Sequence, residues 1–330
     1  MNKNRLQHSK IICEVEKFLN GFLVNEKKTS PYCSQMAKYQ LNSGGKRIRA
    51  LIPSLIINNS NKTAIALGAS VEMIHNATLV HDDLQDGDLK RRGKLTVWKK
   101  YGEAQAINCG DAMFYYAIKM INGLQLKSQI KESICELALN STLQVIEGQA
   151  QEFLMKDEKN PKISRYLGVI RGKTSGLFSL PVLIAMQALE YSKNDMLIAK
   201  NAAEGLGLLF QIQDDLLDIY GDKKRDRKAT DIAEGKTSLL VAHVNENAST
   251  KDKKKLQLIL KKSRFDTNQN DVTQALDVFE KYNAIGASVT HINKIKNDLC
   301  FSKKLRKIPE IRKIILDLCE LSLEPIKGLI

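Results

Sequence analysis

An all-helical fold is predicted by three features of this 330-residue chain. It holds only six prolines. Few short runs alternate apolar and polar residues with the two-residue period of a half-buried strand. Apolar side chains recur instead at the three- and four-residue spacing of helices. A hydrophobic content of 43% suffices for a large core and excludes a disordered chain. No shift of composition marks a linker and no repeat of solenoid length recurs, so residues 1–330 read as one large helical domain.

Ile11, Ile12, Val15, Phe18, Leu19 and Phe22 share one helical face and open the chain with an amphipathic helix. Thr29-Ser30-Pro31 ends it, and a second helix is expected from Tyr32 to Asn42. Ser43-Gly44-Gly45 is a turn, followed by the basic stretch Lys46-Arg47-Ile48-Arg49 and the apolar run from Leu51 to Ile57. From Lys62 to Asp86 the pattern is helical and apolar nearly all round, as in a helix buried at the centre of a fold. A polar loop from Gly87 to Gly102 carries Arg91 and Arg92. Further helices are expected over 104–122, 128–155, 163–190 with a bend at Pro181, 193–219 and 238–247. Three or four shorter helices with lysine-rich outer faces follow Lys251.

Two acidic triads stand out: Asp82-Asp83-Leu84-Gln85-Asp86 and Asp214-Asp215-Leu216-Leu217-Asp218. Both have the spacing Asp-Asp-x-x-Asp, and both close a long apolar helix. Residues three and four apart share a helix face, so each triad crowds its carboxylates within about one turn. Such groups repel one another, and burying them uncompensated costs several kcal/mol. A hard divalent cation resolves the conflict, and magnesium, which takes oxygen ligands only, fits best. Metals held by two such faces directed at one space would in turn hold a diphosphate.

The net charge of +14 raises the question of nucleic acid. Aromatic residues make up only 6%, however, and the basic residues are dispersed apart from the runs 223–228 and 251–255. Those runs read as solvated surfaces, and no nucleic-acid partner is expected. The six cysteines, Cys13, Cys33, Cys109, Cys135, Cys300 and Cys319, form no Cys-x-x-Cys pair and read as small buried residues in a reducing compartment. With no signal-like N-terminus and no run of about 18 apolar residues, a cytoplasmic protein without a transmembrane segment is expected. An EF-hand is excluded at the first triad, because Leu84 occupies a position that a calcium loop fills with an oxygen ligand. Gly172-Lys173-Thr174 and Gly235-Lys236-Thr237 lack the upstream glycine and strand of a nucleotide-binding P-loop.

Several ordered motifs resemble the all-trans polyprenyl diphosphate synthases. Gly44-Gly45-Lys46-Arg47-Ile48-Arg49 is similar to that family's Gly-Gly-Lys-x-x-Arg signature. His75-Asn76-Ala77-Thr78-Leu79-Val80-His81 leads into the first triad, and Arg91-Arg92-Gly93 and Thr96-Val97-Trp98 follow it. Lys173-Thr174, then Phe210-Gln211-Ile212-Gln213 before the second triad, and Gly235-Lys236 complete the set. The resemblance implies ten or more helices around a central active-site cavity, an isoprenoid synthase-like fold, and a homodimer. It also implies condensation of isopentenyl diphosphate head-to-tail with an allylic diphosphate (dimethylallyl, geranyl or farnesyl), driven by magnesium-assisted ionisation. Three ions are implied, with manganese as the alternative.

By the same resemblance, Asp82, Asp86 and Asp214 are direct metal ligands, and Asp83, Asp215 and Asp218 complete the metal-binding set. Lys46, Arg49, His75 and Arg92 hold isopentenyl diphosphate. Arg91, Lys173, Thr174, Gln211, Lys228 and Lys236 hold the allylic diphosphate; Lys173 and Thr174 also count as catalytic, the Thr174 hydroxyl steadying the developing charge. The chain departs from the family pattern at Ala50 and Leu95, where proline is common, and at Glu152, where aspartate is common. The loop 221–231 is short and lacks a Gly-Lys pair, leaving Lys228 or Arg227 in that role. Ala77 and Thr78, which precede the first triad, place no ring in the path of a growing chain. This points to geranylgeranyl diphosphate, with farnesyl or longer products as the alternative. A regulatory subunit of a heteromeric prenyltransferase is a further alternative; six intact aspartates argue against it. Head-to-head coupling would leave the Lys46, Arg49 and Arg92 set unexplained.

Overall fold

In the computed structural model, which describes residues 3–57, 61–220 and 229–329, sixteen α-helices account for nearly all regular structure. They are α1 (Lys3–Glu26), α2 (Pro31–Leu41), α3 (Ile48–Ile56), α4 (Lys62–Gln85), α5 (Val97–Tyr101), α6 (Glu103–Asn122), α7 (Ser128–Asp157) and α8 (Ile163–Lys173). There follow α9 (Ser175–Ala188), α10 (Lys193–Tyr220), α11 (Thr230–Ala233), α12 (Leu239–Asn247), α13 (Thr250–Leu260), α14 (Gln269–Lys281), α15 (Ala284–Phe301) and α16 (Pro309–Leu323). Residues 1–142 with 177–200 gather into one unit, and 143–176 with 201–330 into a second.

In the first unit α4 is the core. Every side chain from Ala64 to Ile74 is buried, as its all-round apolar sequence requires. Asn61 starts this helix by accepting from the Ala64 N–H at 2.8 Å. α4 packs against α1, α3 and α6. A Cβ at Gly68 would collide with the Ala50 carbonyl oxygen, so α3 and α4 touch backbone to backbone. Each fully buried leucine or isoleucine here contributes about 1.5–3 kcal/mol.

The expected polar loop after α4 is more ordered than its composition suggests. Strands β1 (Lys90–Arg91) and β2 (Lys94–Leu95) form an antiparallel hairpin with Arg91 opposite Lys94. Its two central residues, Arg92 and Gly93, both have the positive φ that the right-handed twist of a two-residue hairpin demands. Thr96 Oγ1 and Trp98 Nε1 both donate to the Asp88 carbonyl, at 2.7 and 2.8 Å, and pin the loop to α5.

In the second unit α12 packs on α8 and α15, with Tyr166, Phe279 and Ile292 buried. α14 begins with a reciprocal capping box between Asn268 and Asp271. The long helix expected over 163–190 is instead two helices. The break falls at Thr174, and α9 continues through Pro181, so the proline is not the breaking point.

The expectation of six buried cysteines holds for Cys109 and Cys319; Cys13 is exposed, and Cys33, Cys135 and Cys300 are half-buried. Among the described residues no single helix is long and apolar enough to cross a membrane, and only the bent pair α8 and α9 meets that test together.

Candidate active site

The first triad sits in the last turn of α4. Gly87, at φ +69°, takes the left-handed position after the helix. The Asp88 N–H then donates to the Asp83 carbonyl at 2.9 Å and the Gly87 N–H to the Leu84 carbonyl at 3.3 Å, the pair of bonds that closes a Schellman motif. Three carboxylates therefore stand where the helix dipole is already negative. Asp82 and Asp86 are half-buried, whereas Asp83 is fully buried. Arg91, on β1, donates from Nε to Asp83 Oδ1 at 2.5 Å, and its Nη2 lies 3.6 Å from Asp82 Oδ2 and 3.9 Å from Asp88 Oδ2. Burial pushes the Asp83 carboxyl up to about 7 against the pull of Arg91, and Asp83 Oδ2 has no donor. Arg91 thus pairs with the triad in this structure.

A cationic cluster forms in the same unit. Gly44 and Gly45 both have φ values that glycine alone adopts readily, +93° and +135°. The guanidinium of Arg92 lies against them, donating to the Gly44 carbonyl; a Cβ at Gly45 would meet Arg92 Nη1 at 2.7 Å. Arg49 stacks over the Phe178 ring at 4.4 Å, and its Nη1 lies 3.4 Å from His75 Nε2. Burial first, then Arg49, Arg92, Arg91 and Arg47, hold His75 well below its usual 6.5, so the imidazole is neutral. With Nε2 facing a donor, the ring proton belongs on Nδ1, a buried atom with no acceptor. Arg49 and His75 are thus in contact, Arg92 acts electrostatically on the same ring from its place against Gly44 and Gly45, and Lys46 is exposed on the adjoining loop. On α4 just beyond His75, Ala77 is buried, and Thr78 is half-buried with its hydroxyl donating to the His75 carbonyl at 2.8 Å.

In the second unit the second triad lies in the closing turns of α10. Both oxygens of Asp215 are occupied. Oδ1 accepts from Gln211 Nε2 at 2.9 Å; Oδ2 accepts from the Tyr166 hydroxyl at 2.7 Å and the Leu239 N–H at 3.2 Å. Asp218 accepts from Thr230 Oγ1 at 2.6 Å and the Asp231 N–H at 2.9 Å, fixing α11 to α10. Asp214 is half-buried. Thr174 Oγ1 donates to Gln211 Oε1 at 3.0 Å, so Thr174, Gln211 and Asp215 form one hydrogen-bonded line. Lys173 pairs with Glu152 at 2.5 Å, and Lys236 with Glu234 at 2.8 Å. The glutamate at position 152 is thus the acidic partner of Lys173. Lys228 and Arg227 lie outside the described residues.

Among the described residues no three acidic, histidine or cysteine side chains close into a metal cage. Magnesium is commonly held by one or two carboxylates and keeps waters and substrate phosphate oxygens as its other ligands. Oxygen-only donors, crowded at a negative helix end and including the orphaned Asp83 Oδ2, fit such an ion. Sequence reasoning missed Tyr166, Thr230 and the buried Arg47, Glu72 and Asn76. Arg47 and Asn76 lie inside the motifs quoted above, and Glu72 left a signal as a charge inside an otherwise apolar helix.

Half-buried carboxylates at helix ends, with arginines or lysines in the same unit, suit an enzyme that handles phosphate esters through divalent ions. The polyprenyl synthetase family model matches residues 30–279. A geranylgeranyl diphosphate synthase of Saccharolobus solfataricus is 32% identical over 319 residues, 93% of this chain and 92% of its own. A short chain isoprenyl diphosphate synthase of Methanocaldococcus jannaschii is 32% identical over 249 residues, 74% of this chain and 75% of its own. The crystal structure of geranylgeranyl pyrophosphate synthetase from Pyrococcus horikoshii matches with a TM-score of 0.83 at 26% identity, covering 99% of both chains. The chain belongs to the polyprenyl synthetase family and is a prenyltransferase.

Proposed function

We propose that this prenyltransferase joins isopentenyl diphosphate head-to-tail to an allylic diphosphate and that its product is geranylgeranyl diphosphate. Two relatives carry that product in their names, and the buried Ala77 and its neighbour Thr78 put no aromatic ring before the first triad. The observation that supports the reading is that each unit holds one acidic triad together with basic and polar side chains suited to a diphosphate. Arg49, His75 and Arg92 accompany the first, and Lys173, Thr174, Gln211 and Lys236 lie in the unit of the second.

In the proposed reaction the allylic C–O bond breaks and its electron pair leaves with the diphosphate. The isopentenyl double bond attacks the allylic carbon, and the released diphosphate accepts the proton lost from the new chain. Magnesium, when bound, supplies the electrophilic pull on the leaving oxygens. Asp82, Asp86 and Asp214 would hold it, three ions being the proposed number, while Asp83, Asp215 and Asp218 brace the carboxylates beside them. Arg49, Arg92 and the Nδ1–H of neutral His75 would grip isopentenyl diphosphate, with Lys46 closing from the loop. Lys173, Thr174, Gln211, Lys236 and Arg91 would grip the allylic diphosphate. These groups work by positioning and by fixed charge.

A cytoplasmic homodimer is proposed as the working form. Leu139, Leu143, Ile146 and Leu154 recur at helical spacing on α7 and are each at least half exposed, a stripe suited to a second copy. The reading is tested by incubating purified protein with magnesium, labelled isopentenyl diphosphate and each allylic starter, then sizing the products. Twenty-carbon product is expected; absence of any chain extension defeats the proposal.

A further inference from the structure

One buried ion pair lies beside the cationic cluster of the first unit without belonging to it. Arg47 is 5% exposed and precedes α3 with φ +52°, a left-handed conformation that non-glycine residues adopt infrequently. Its Nη1 meets Glu72 Oε1 on α4 at 2.7 Å, and Nη2 donates to the Leu41 carbonyl at the end of α2. Nε lies 3.5 Å from Glu16 of α1, close enough for charge attraction and beyond hydrogen-bond geometry. Asn76 Nδ2 donates at 2.8 Å to both Glu72 Oε1 and the Glu72 carbonyl. Glu72 is itself 3% exposed and carries the sole charge between Lys62 and His75.

A buried ion pair is seldom the most stable solution, since apolar residues of similar volume commonly do as well or better. Its geometry is what distinguishes this one. Arg47 and Arg49 stand two residues apart at the start of α3; Glu72 and His75 stand three apart on one face of α4. The Arg47–Glu72 pair and the Arg49–His75 contact are therefore successive rungs between the same two helices.

We propose that the Arg47–Glu72–Asn76 network consists of positioning residues for isopentenyl diphosphate, fixing α3 on α4 so that Arg49 and His75 converge on its phosphates. This rests on the assignment of Arg49 and His75 to that substrate. The network touches no substrate, and its effect falls on one substrate only.

The test compares KM for each substrate, kcat and melting temperature in four variants. Glu72→Gln should raise KM for isopentenyl diphosphate by about tenfold or more, while KM for the allylic diphosphate stays within about twofold. Asn76→Ala, which removes only the bridging amide, should raise the same KM less; it carries the test if Glu72→Gln does not fold. The double variant Arg47→Met, Glu72→Leu replaces the ion pair with apolar volume. It should recover the melting temperature lost in Glu72→Gln yet keep the high KM, whereas recovery of both would make the network merely structural and overturn the proposal. An equal rise of both KM values in Glu72→Gln overturns it too. Arg49→Ala separates the two levels: if it alone raises the isopentenyl KM and Glu72→Gln is silent, the network fails and the site stands. If Arg49→Ala is silent, the site assignment fails and takes the network with it.

Discussion

Tyr166 donates its hydroxyl hydrogen to Asp215 Oδ2 across 2.7 Å, tying α8 to the middle aspartate of the second triad. Both residues are buried, and Gln211 and the Leu239 N–H converge on the same carboxylate. Identical residues in one short motif therefore have different duties: Asp215 organises three elements, and Asp214 is left half-exposed beside it.

This division separates stability from turnover. Asp215→Ala strips the acceptor from three buried donors and should cost about 3 kcal/mol of stability or more, visible as a fall in the unfolding midpoint. Asp214→Ala and Asp82→Ala should shift stability by about 1 kcal/mol or less and lower turnover by several orders of magnitude. Near-normal rates in both would remove the triads from the chemistry.

His75 gives a pH signature. Burial and its arginine neighbours hold its pKa well below 6.5, so below about pH 6.5 the unfolded chain binds a proton that the folded chain refuses. Stability contributed by neutral His75 is then complete above that pH. It is lost as the pH falls toward the depressed value, at up to about 1.4 kcal/mol per pH unit. Melting temperatures measured above and below pH 6.5 should diverge more for wild type than for His75→Gln. Parallel curves would show that His75 is not buried as a neutral base.

Ala77→Phe places a ring where the methyl group of a fully buried alanine now lies. Chromatographic sizing should show shorter products than wild type makes. An unchanged distribution would take Ala77 away from the growing chain.

Gly148 of α7 allows the backbone of α8 to pass: a Cβ there would collide with the Lys173 nitrogen, and Gly172 is in contact on the facing side. Gly148→Val should cost about 3 kcal/mol or more and displace both Lys173 and Thr174. Calorimetry on the purified variant would register this, and a wild-type melting temperature would disprove the close crossing.

The sequence by itself determined the helical class, the position of most helices, and the family to which the chain belongs. Helical spacing of apolar residues and the motifs around the two triads are local signals, legible without neighbours. It could not place the break at Thr174, because the apolar pattern runs unbroken from Ile163 to Ala188 while the Gly148–Gly172 crossing and the Gln211 bond come from elsewhere in the chain. Nor could it rank six like-spaced aspartates. Tyr166, Thr230 and Leu239 decide which carboxylates turn inward, and Arg91 decides the fate of Asp83. A carboxylate's role depends on the donors that reach it, and those arrive from segments distant in sequence, so only tertiary packing could settle it.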